Sequence, residues 1–129
     1  MSRTLQRILY AEDEDDIRLI TAMALRTFGD FVVSENDSGL NIVEKARDFA
    51  PDLILLDVMM PNVDGPTAWK HLKETPELAD IPVVFMTAKV LNDETRTFLA
   101  AGAAGIIAKP FDPQELSGQL REIWGQADE

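Results

Sequence analysis

The chain predicts a doubly wound α/β fold: a (βα)5 arrangement with a five-stranded parallel sheet and helices on both faces. Two observations carry this. Five short apolar runs alternate regularly with longer amphipathic segments along the 129 residues, which is the pattern of βα units. Each run is nearly continuous in aliphatic and β-branched residues rather than alternating with polar ones, as in strands buried on both sides. No repeat, low-complexity tract or linker interrupts the alternation, so residues 1–129 read as a single domain.

The elements follow in order. "RILYA" (7–11) is the first strand. Ile17, Ile20, Ala24 and Phe28 then recur close to the helical period. "FVVS" (31–34) is the second strand, and Leu40, Val43, Ala46 and Ala50 again keep helical spacing. "LILLD" (53–57) is the third strand. Gly65 and Pro66 suit a helix first turn, and Ala68, Trp69 and Leu72 give that helix an apolar face. "VVFMT" (83–87) is the fourth strand; Asn92 or Asp93 caps a helix carrying Phe98 and Leu99 that stops near Gly102. "GIIA" (105–108) is the fifth strand. Asp112 and Pro113 open the last helix, whose buried stripe is Leu116, Leu120, Ile123 and Trp124. His71, beside Lys70 and Lys73, reads as a surface residue, and Trp69 and Trp124 as core or half-buried.

Composition narrows the function. The chain is 46% hydrophobic and 27% charged, has no cysteine and carries a formal net charge of −11. Disulfides and thiolate metal sites are excluded, and a reducing cytoplasm is the natural compartment. The acidic balance argues against direct nucleic-acid binding by this chain and is compatible with cations. No apolar run approaches the ~18 residues of a membrane span, and the start lacks a signal-peptide apolar region.

In doubly wound sheets the reactive site lies outside the carboxyl ends of the strands. Glu12 and Asp13 follow the first strand, Asp57 ends the third, Thr87 the fourth, and Lys109 follows the fifth. Each has an ordinary alternative as a helix cap, a first-turn acid or an exposed charge. Together they form one chemistry. Three carboxylates on one rim repel, and a hard divalent cation, Mg²⁺, resolves that repulsion with oxygen ligands. Asp57 is then a carboxylate nucleophile able to form an acyl phosphate. Lys109 is the opposing fixed charge and pairs with Asp57 when no phosphoryl group is present; Thr87 donates a hydrogen bond to a phosphoryl oxygen. Pro61 and Gly65 bound a tight loop that turns the backbone carbonyl of Met59 toward the metal.

"ILYAEDED", "LILLDVMMPNVDG", "VVFMTA" and "IIAKPF" resemble the hallmark stretches of two-component response-regulator receiver domains, over essentially the whole chain and in order. By length the chain is similar to the stand-alone, chemotaxis-type (CheY-like) members. The resemblance implies a flavodoxin-like fold, phosphotransfer from the phosphohistidine of a histidine kinase or histidine phosphotransfer protein onto Asp57, a requirement for Mg²⁺, and slow self-hydrolysis. It implies direct metal ligation by Asp13, Asp57 and the Met59 carbonyl, with Glu12 acting through water. Thr87, Lys109 and the backbone amide of Ala88 contact the phosphoryl group, and the Lys109–Pro110 bond is cis. The downstream target is a protein not identifiable from sequence, and the oligomeric state is a monomer or a phosphorylation-dependent homodimer. The resemblance also places an output face between Lys89 and Phe111, with Lys89, Arg96 and Lys109 suited to an acidic partner.

Two positions depart from the family pattern. Ile106 stands where the switch aromatic is usual, so its coupling to Thr87 differs. Glu12 replaces the commoner Asp. Met59 and Lys89, two residues beyond Asp57 and Thr87, are expected to set part of the phosphoryl lifetime. Other readings share some of these features. A haloacid-dehalogenase-type phosphatase needs a second aspartate where Met59 stands. A pseudo-receiver would not retain the full set of Asp13, Asp57, Thr87 and Lys109. A flavodoxin-like FMN carrier would not place acids in its first βα turn.

Overall fold

The computed structural model describes residues 4–88 and 93–127. Ten elements alternate in chain order: β1 (Arg7–Ala11), α1 (Asp15–Gly29), β2 (Val32–Asn36), α2 (Ile42–Phe49), β3 (Leu53–Asp57), α3 (Gly65–Lys73), β4 (Val83–Thr87), α4 (Asp93–Ala100), β5 (Gly105–Ala108) and α5 (Pro113–Ala127). All strand pairs are parallel, in the order β2-β1-β3-β4-β5. This is the flavodoxin-like doubly wound order, with its switch point between β1 and β3. The expected fold class is the observed one.

The continuous apolar runs are explained by burial on both sides. Every residue of β3 and β4 is buried. Alternate side chains enter different cores. Ile8, Tyr10, Leu53, Leu55, Val84 and Met86 pack with α1 and α5, while Leu9, Ala11, Ile54, Leu56, Val83 and Phe85 pack with α2 and α3. Each fully buried aliphatic side chain contributes about 1.5–3 kcal/mol relative to exposure.

Several sequence expectations change in detail. β2 runs on to Asn36, beyond the expected end at Ser34. α2 begins at Ile42, leaving Leu40 outside it and 49% exposed. The largest difference concerns α1. Of Ile17, Ile20, Ala24 and Phe28, only Ala24 is buried; the core face is Thr21, Ala22, Ala24, Leu25 and Gly29. Ile20 and Phe28 are 54% and 52% exposed. In α5, Leu116, Leu120 and Trp124 are buried as expected, and Asp112 accepts a hydrogen bond from the Gln114 amide at 2.8 Å. His71 is exposed. Asn92 lies outside the described residues; α4 starts at Asp93 and ends before Gly102, whose φ of +111° suits glycine. Among the described residues no helix is long and apolar enough to cross a membrane.

Candidate functional site

β1 and β3 are neighbours, and Ala11 pairs with Leu56. Glu12 therefore leaves the sheet level with Asp57, at the switch point. Asp57 pairs with Met86, which sets Thr87 one step farther along β4; Thr87 pairs with Ala108. The Lys109 amide donates to the Thr87 carbonyl at 3.0 Å. Parallel register alone thus gathers Glu12, Asp13, Asp57, Thr87 and Lys109 on one rim.

Glu12 is wholly buried, and Asp57 is 5% exposed. With the more open Asp13 they offer one carboxylate oxygen each, and these three atoms lie within 4.8 Å of one another. Lys109 Nζ donates to Glu12 Oε1 at 2.8 Å and sits 3.2 Å from Asp57 Oδ1. The expected Lys109–Asp57 pair is present, but the closer partner is Glu12. The longer glutamate arm explains this, since it carries its carboxylate farther from the backbone than aspartate would. The other Glu12 oxygen accepts from the Glu14 amide at 3.3 Å.

The backbone of Glu12 is also fixed. Its amide donates to the Asn36 carbonyl at 2.9 Å, and its carbonyl accepts from Arg18 at 2.8 Å. Asn36 and Arg18 are supporting residues that the sequence reading missed. Asn36 follows Glu35 directly, but its role depends on β2 extending two residues farther than its apolar run.

The electrostatics follow from crowding. Burial pushes the Glu12 carboxyl above its ordinary range; the bond from Lys109 opposes this and the shared hydrogen bond and charge of Asp57 reinforce it. Burial also raises Asp13, as does its contact with Glu12. Burial pulls Lys109 down, but Glu12 and Asp57 more than offset it and hold the ammonium above its ordinary value. One ammonium facing three acids leaves the cluster short of positive charge, and an all-oxygen donor set of this kind suits a hard divalent cation.

The β3–α3 loop frames the rim. Gly65 donates to the Val58 carbonyl at 3.1 Å. A Cβ there would lie 2.4 Å from the Asp57 carbonyl oxygen and 3.2 Å from Phe85, so only glycine permits this approach. Asp64 caps α3 through the Thr67 amide at 2.8 Å. Met59 projects outward, 76% exposed. Thr87 is buried and Ala88 exposed beside it; Ala88 and Lys109 line one cleft. The Lys109–Pro110 bond is cis. Lys109 is committed to Glu12 and Asp57 rather than offered to a partner on the output face, which corrects that expectation. Lys89 lies outside the described residues, so its pairing with Met59 has no structural description. Ile106 is partly buried against the second core cluster and pairs with Phe85. Phe85 meets Trp69 edge-to-face and Phe98 at a tilt, with centroids 5.4 and 4.8 Å away, an aromatic chain that periodicity did not reveal.

The family model described as the response regulator receiver domain matches residues 8–121. The chain belongs to that family. It is 37% identical over 118 residues to the phosphate regulon transcriptional regulatory protein PhoB of Escherichia coli, covering 92% of this chain and 51% of that protein. The chain spans about half the length of the curated relatives it matches. Among solved structures, it is similar to a putative response regulator of Chloroflexus aurantiacus, with TM-score 0.83 and 27% identity over 95% of this chain and 99% of that one. It is also similar to the receiver domain of the sensor histidine kinase PA1611 of Pseudomonas aeruginosa. There the TM-score is 0.81 and the identity 29%, over 95% and 99% of the two chains, and that structure has a magnesium ion coordinated in its active site cleft.

Proposed function

We propose that this receiver domain acts as a single-domain response regulator in a cytoplasmic two-component phosphorelay. In this reading residues 1–129 form one signalling unit. Asp57 accepts a phosphoryl group from the phosphohistidine of a histidine kinase or histidine phosphotransfer protein. A carboxylate oxygen of Asp57 bonds to phosphorus as the phosphorus–nitrogen bond breaks, and the departing imidazole nitrogen keeps the electron pair and takes up a proton. Asp13, Asp57 and the Met59 carbonyl would hold Mg²⁺, with Glu12 acting through water. The ion supplies charge neutralisation for the phosphoryl oxygens. The carboxylate trio fits it, and the magnesium in the cleft of the PA1611 receiver domain supports the assignment.

The remaining roles belong to this chain. Lys109 neutralises charge on the phosphoryl group, and Thr87 and the Ala88 amide donate hydrogen bonds to its oxygens. Water later hydrolyses the acyl phosphate, so the only reactions catalysed are the domain's own phosphorylation and dephosphorylation. The modified site, through Thr87 and Ile106, alters binding to a downstream protein. The observation that carries the reading is the convergence of Glu12, Asp13 and Asp57 within 4.8 Å, with Lys109 3.2 Å from Asp57.

Acetyl phosphate with Mg²⁺ should add the mass of a single, hydrolysable phosphoryl group, read by intact mass spectrometry. Asp57→Asn should abolish the adduct and chelation of Mg²⁺ should suppress it. A wild-type protein that never acquires the mass would favour a pseudo-receiver. An adduct that survives in Asp57→Asn would move the acceptor elsewhere.

A further inference from the structure

This chain has no cysteine and five methionines, so thioethers are its sites of reversible oxidation. The described methionines fall into two classes. Met60 and Met86 are buried, while Met23 and Met59 are exposed. Met59 is the most open large apolar side chain among the described residues, at 76%. A single exposed apolar residue is ordinary; the place of this one is not. It stands two residues after Asp57, so its Cα is within about 7 Å of the Asp57 Cα. The fold fixes its direction. Val58 donates to the Met86 carbonyl and accepts from the Gly65 amide, each at 3.1 Å. Val58 and Met60, on either side, are both buried in the second core cluster. With its neighbours turned inward, Met59 is turned out to solvent in the loop that borders the carboxylate rim. Met23, the other exposed methionine, is on α1 and not among the rim residues.

We propose that Met59 is an oxidation site through which a hydroperoxide shortens the life of the phosphoryl group on Asp57. The inference rests on the reading of Asp57 as the acceptor. The sulfur lone pair of Met59 attacks one peroxide oxygen, and the sulfur–oxygen bond forms as the oxygen–oxygen bond breaks. The departing oxygen keeps that electron pair, takes the proton released by the transferred oxygen and leaves as water. Sulfur is oxidised by two electrons and the peroxide is reduced. A neutral oxidant of this class suits a chain of net charge −11, which disfavours the approach of anions. The thioether is a flexible apolar group and a weak acceptor. Its sulfoxide is polar, and its oxygen is a strong acceptor. At this position the thioether shields the rim from water, and the sulfoxide holds water beside it, where hydrolysis of the acyl phosphate draws its nucleophile. Reduction of the sulfoxide returns the thioether, so the change is reversible.

Limited hydrogen peroxide followed by peptide mass mapping should place added oxygen on Met59 ahead of Met60 and Met86, with circular dichroism unchanged. Oxidised and unoxidised protein are then labelled with acetyl phosphate and Mg²⁺, the donor is removed, and decay of the adduct is followed by intact mass. Oxidation should shorten the lifetime about two- to tenfold, the worth of one hydrogen bond to water made only in the transition state. Met23→Leu should keep that change and Met59→Leu should lose it. Each comparison is made within one variant, oxidised against unoxidised, so any effect of the substitution on the basal rate cancels. Methionine sulfoxide reductases with a dithiol should restore the unoxidised lifetime. A lifetime that oxidation does not shorten, or shortens equally in Met59→Leu, would overturn the inference and leave the acceptor in place. So would mapping in which Met59 is oxidised no faster than Met60 and Met86. Unoxidised protein that takes up no phosphoryl group would overturn the reading of Asp57, and this inference with it.

Discussion

Two regions of this molecule invert the usual distribution of polar and apolar groups. At the carboxyl end of the sheet, Glu12 and Asp57 are charged groups almost wholly removed from water. On the outer side of α1, Ile20 and Met23 are large apolar groups more than half exposed. The first region is balanced inside the chain, because Lys109 bonds Glu12 and approaches Asp57. The second has no internal counterpart among the described residues. A buried charge must find its partner during folding or the fold is penalised. An exposed apolar patch costs little in the monomer and can persist until another surface covers it. The contrast separates groups the fold requires from groups that only an assembly explains.

The two faces of α1 give the largest test of this contrast. Leu25 is fully buried in the core shared with α5. Leu25→Ala should lower unfolding free energy by about 2–5 kcal/mol, the cost of a large-to-small change in a packed core, measured by urea denaturation. A loss below that range would mean that the inner face of α1 is loosely packed and that the inside–outside contrast is overstated.

Next in size is the lysine that balances the rim. Lys109→Met keeps the apolar stem and removes the charge, leaving Glu12 and Asp57 without their ammonium. The expected loss is about 1–3 kcal/mol at neutral pH. Its pH dependence is specific. Because the folded-state pKa of Glu12 lies above its unfolded value of about 4.5, the folded state binds that proton more tightly. This group's contribution therefore becomes more favourable as pH falls through the raised value and levels off below the unfolded one. In the variant Glu12 takes its proton more readily still, so the gap from wild type should narrow between neutral pH and pH values near 5. At the alkaline end, the raised pKa of Lys109 means that its stabilisation is complete below about 10.5 and lost as pH rises through the folded value. A gap that stays constant with pH would show that Lys109 stabilises by packing, not by charge.

These regions also differ in how far they were readable before the fold was known. The rim was legible because parallel register does most of the work. Once five apolar runs are recognised as strands, the residues at their carboxyl ends must share one edge, and Glu12, Asp13, Asp57, Thr87 and Lys109 are those residues. The bond between Lys109 and Glu12, across 97 residues, was not legible, because it depends on side-chain reach and not on register. Asn36 was missed because β2 continues past its apolar run into polar residues. The core face of α1 was misplaced for a different reason. Ile17, Ile20, Ala24 and Phe28 keep a good helical period, but the sheet is met by Thr21, Ala22 and Leu25, two of them small. Periodicity identifies a helix; it cannot choose between two apolar faces when both exist.

The smallest stability effect tests that choice most directly. Met23→Ser replaces a large apolar side chain with a small polar one, a change that would be severe on the inner face two residues away. On the outer face the side chain is 55% exposed, and a surface substitution of this kind should shift monomer stability by no more than about 0.5 kcal/mol in either direction. The measurement is urea denaturation. A substitution that costs several kcal/mol would mean that Met23 packs within its own chain, and the division between the two faces of α1 would fail.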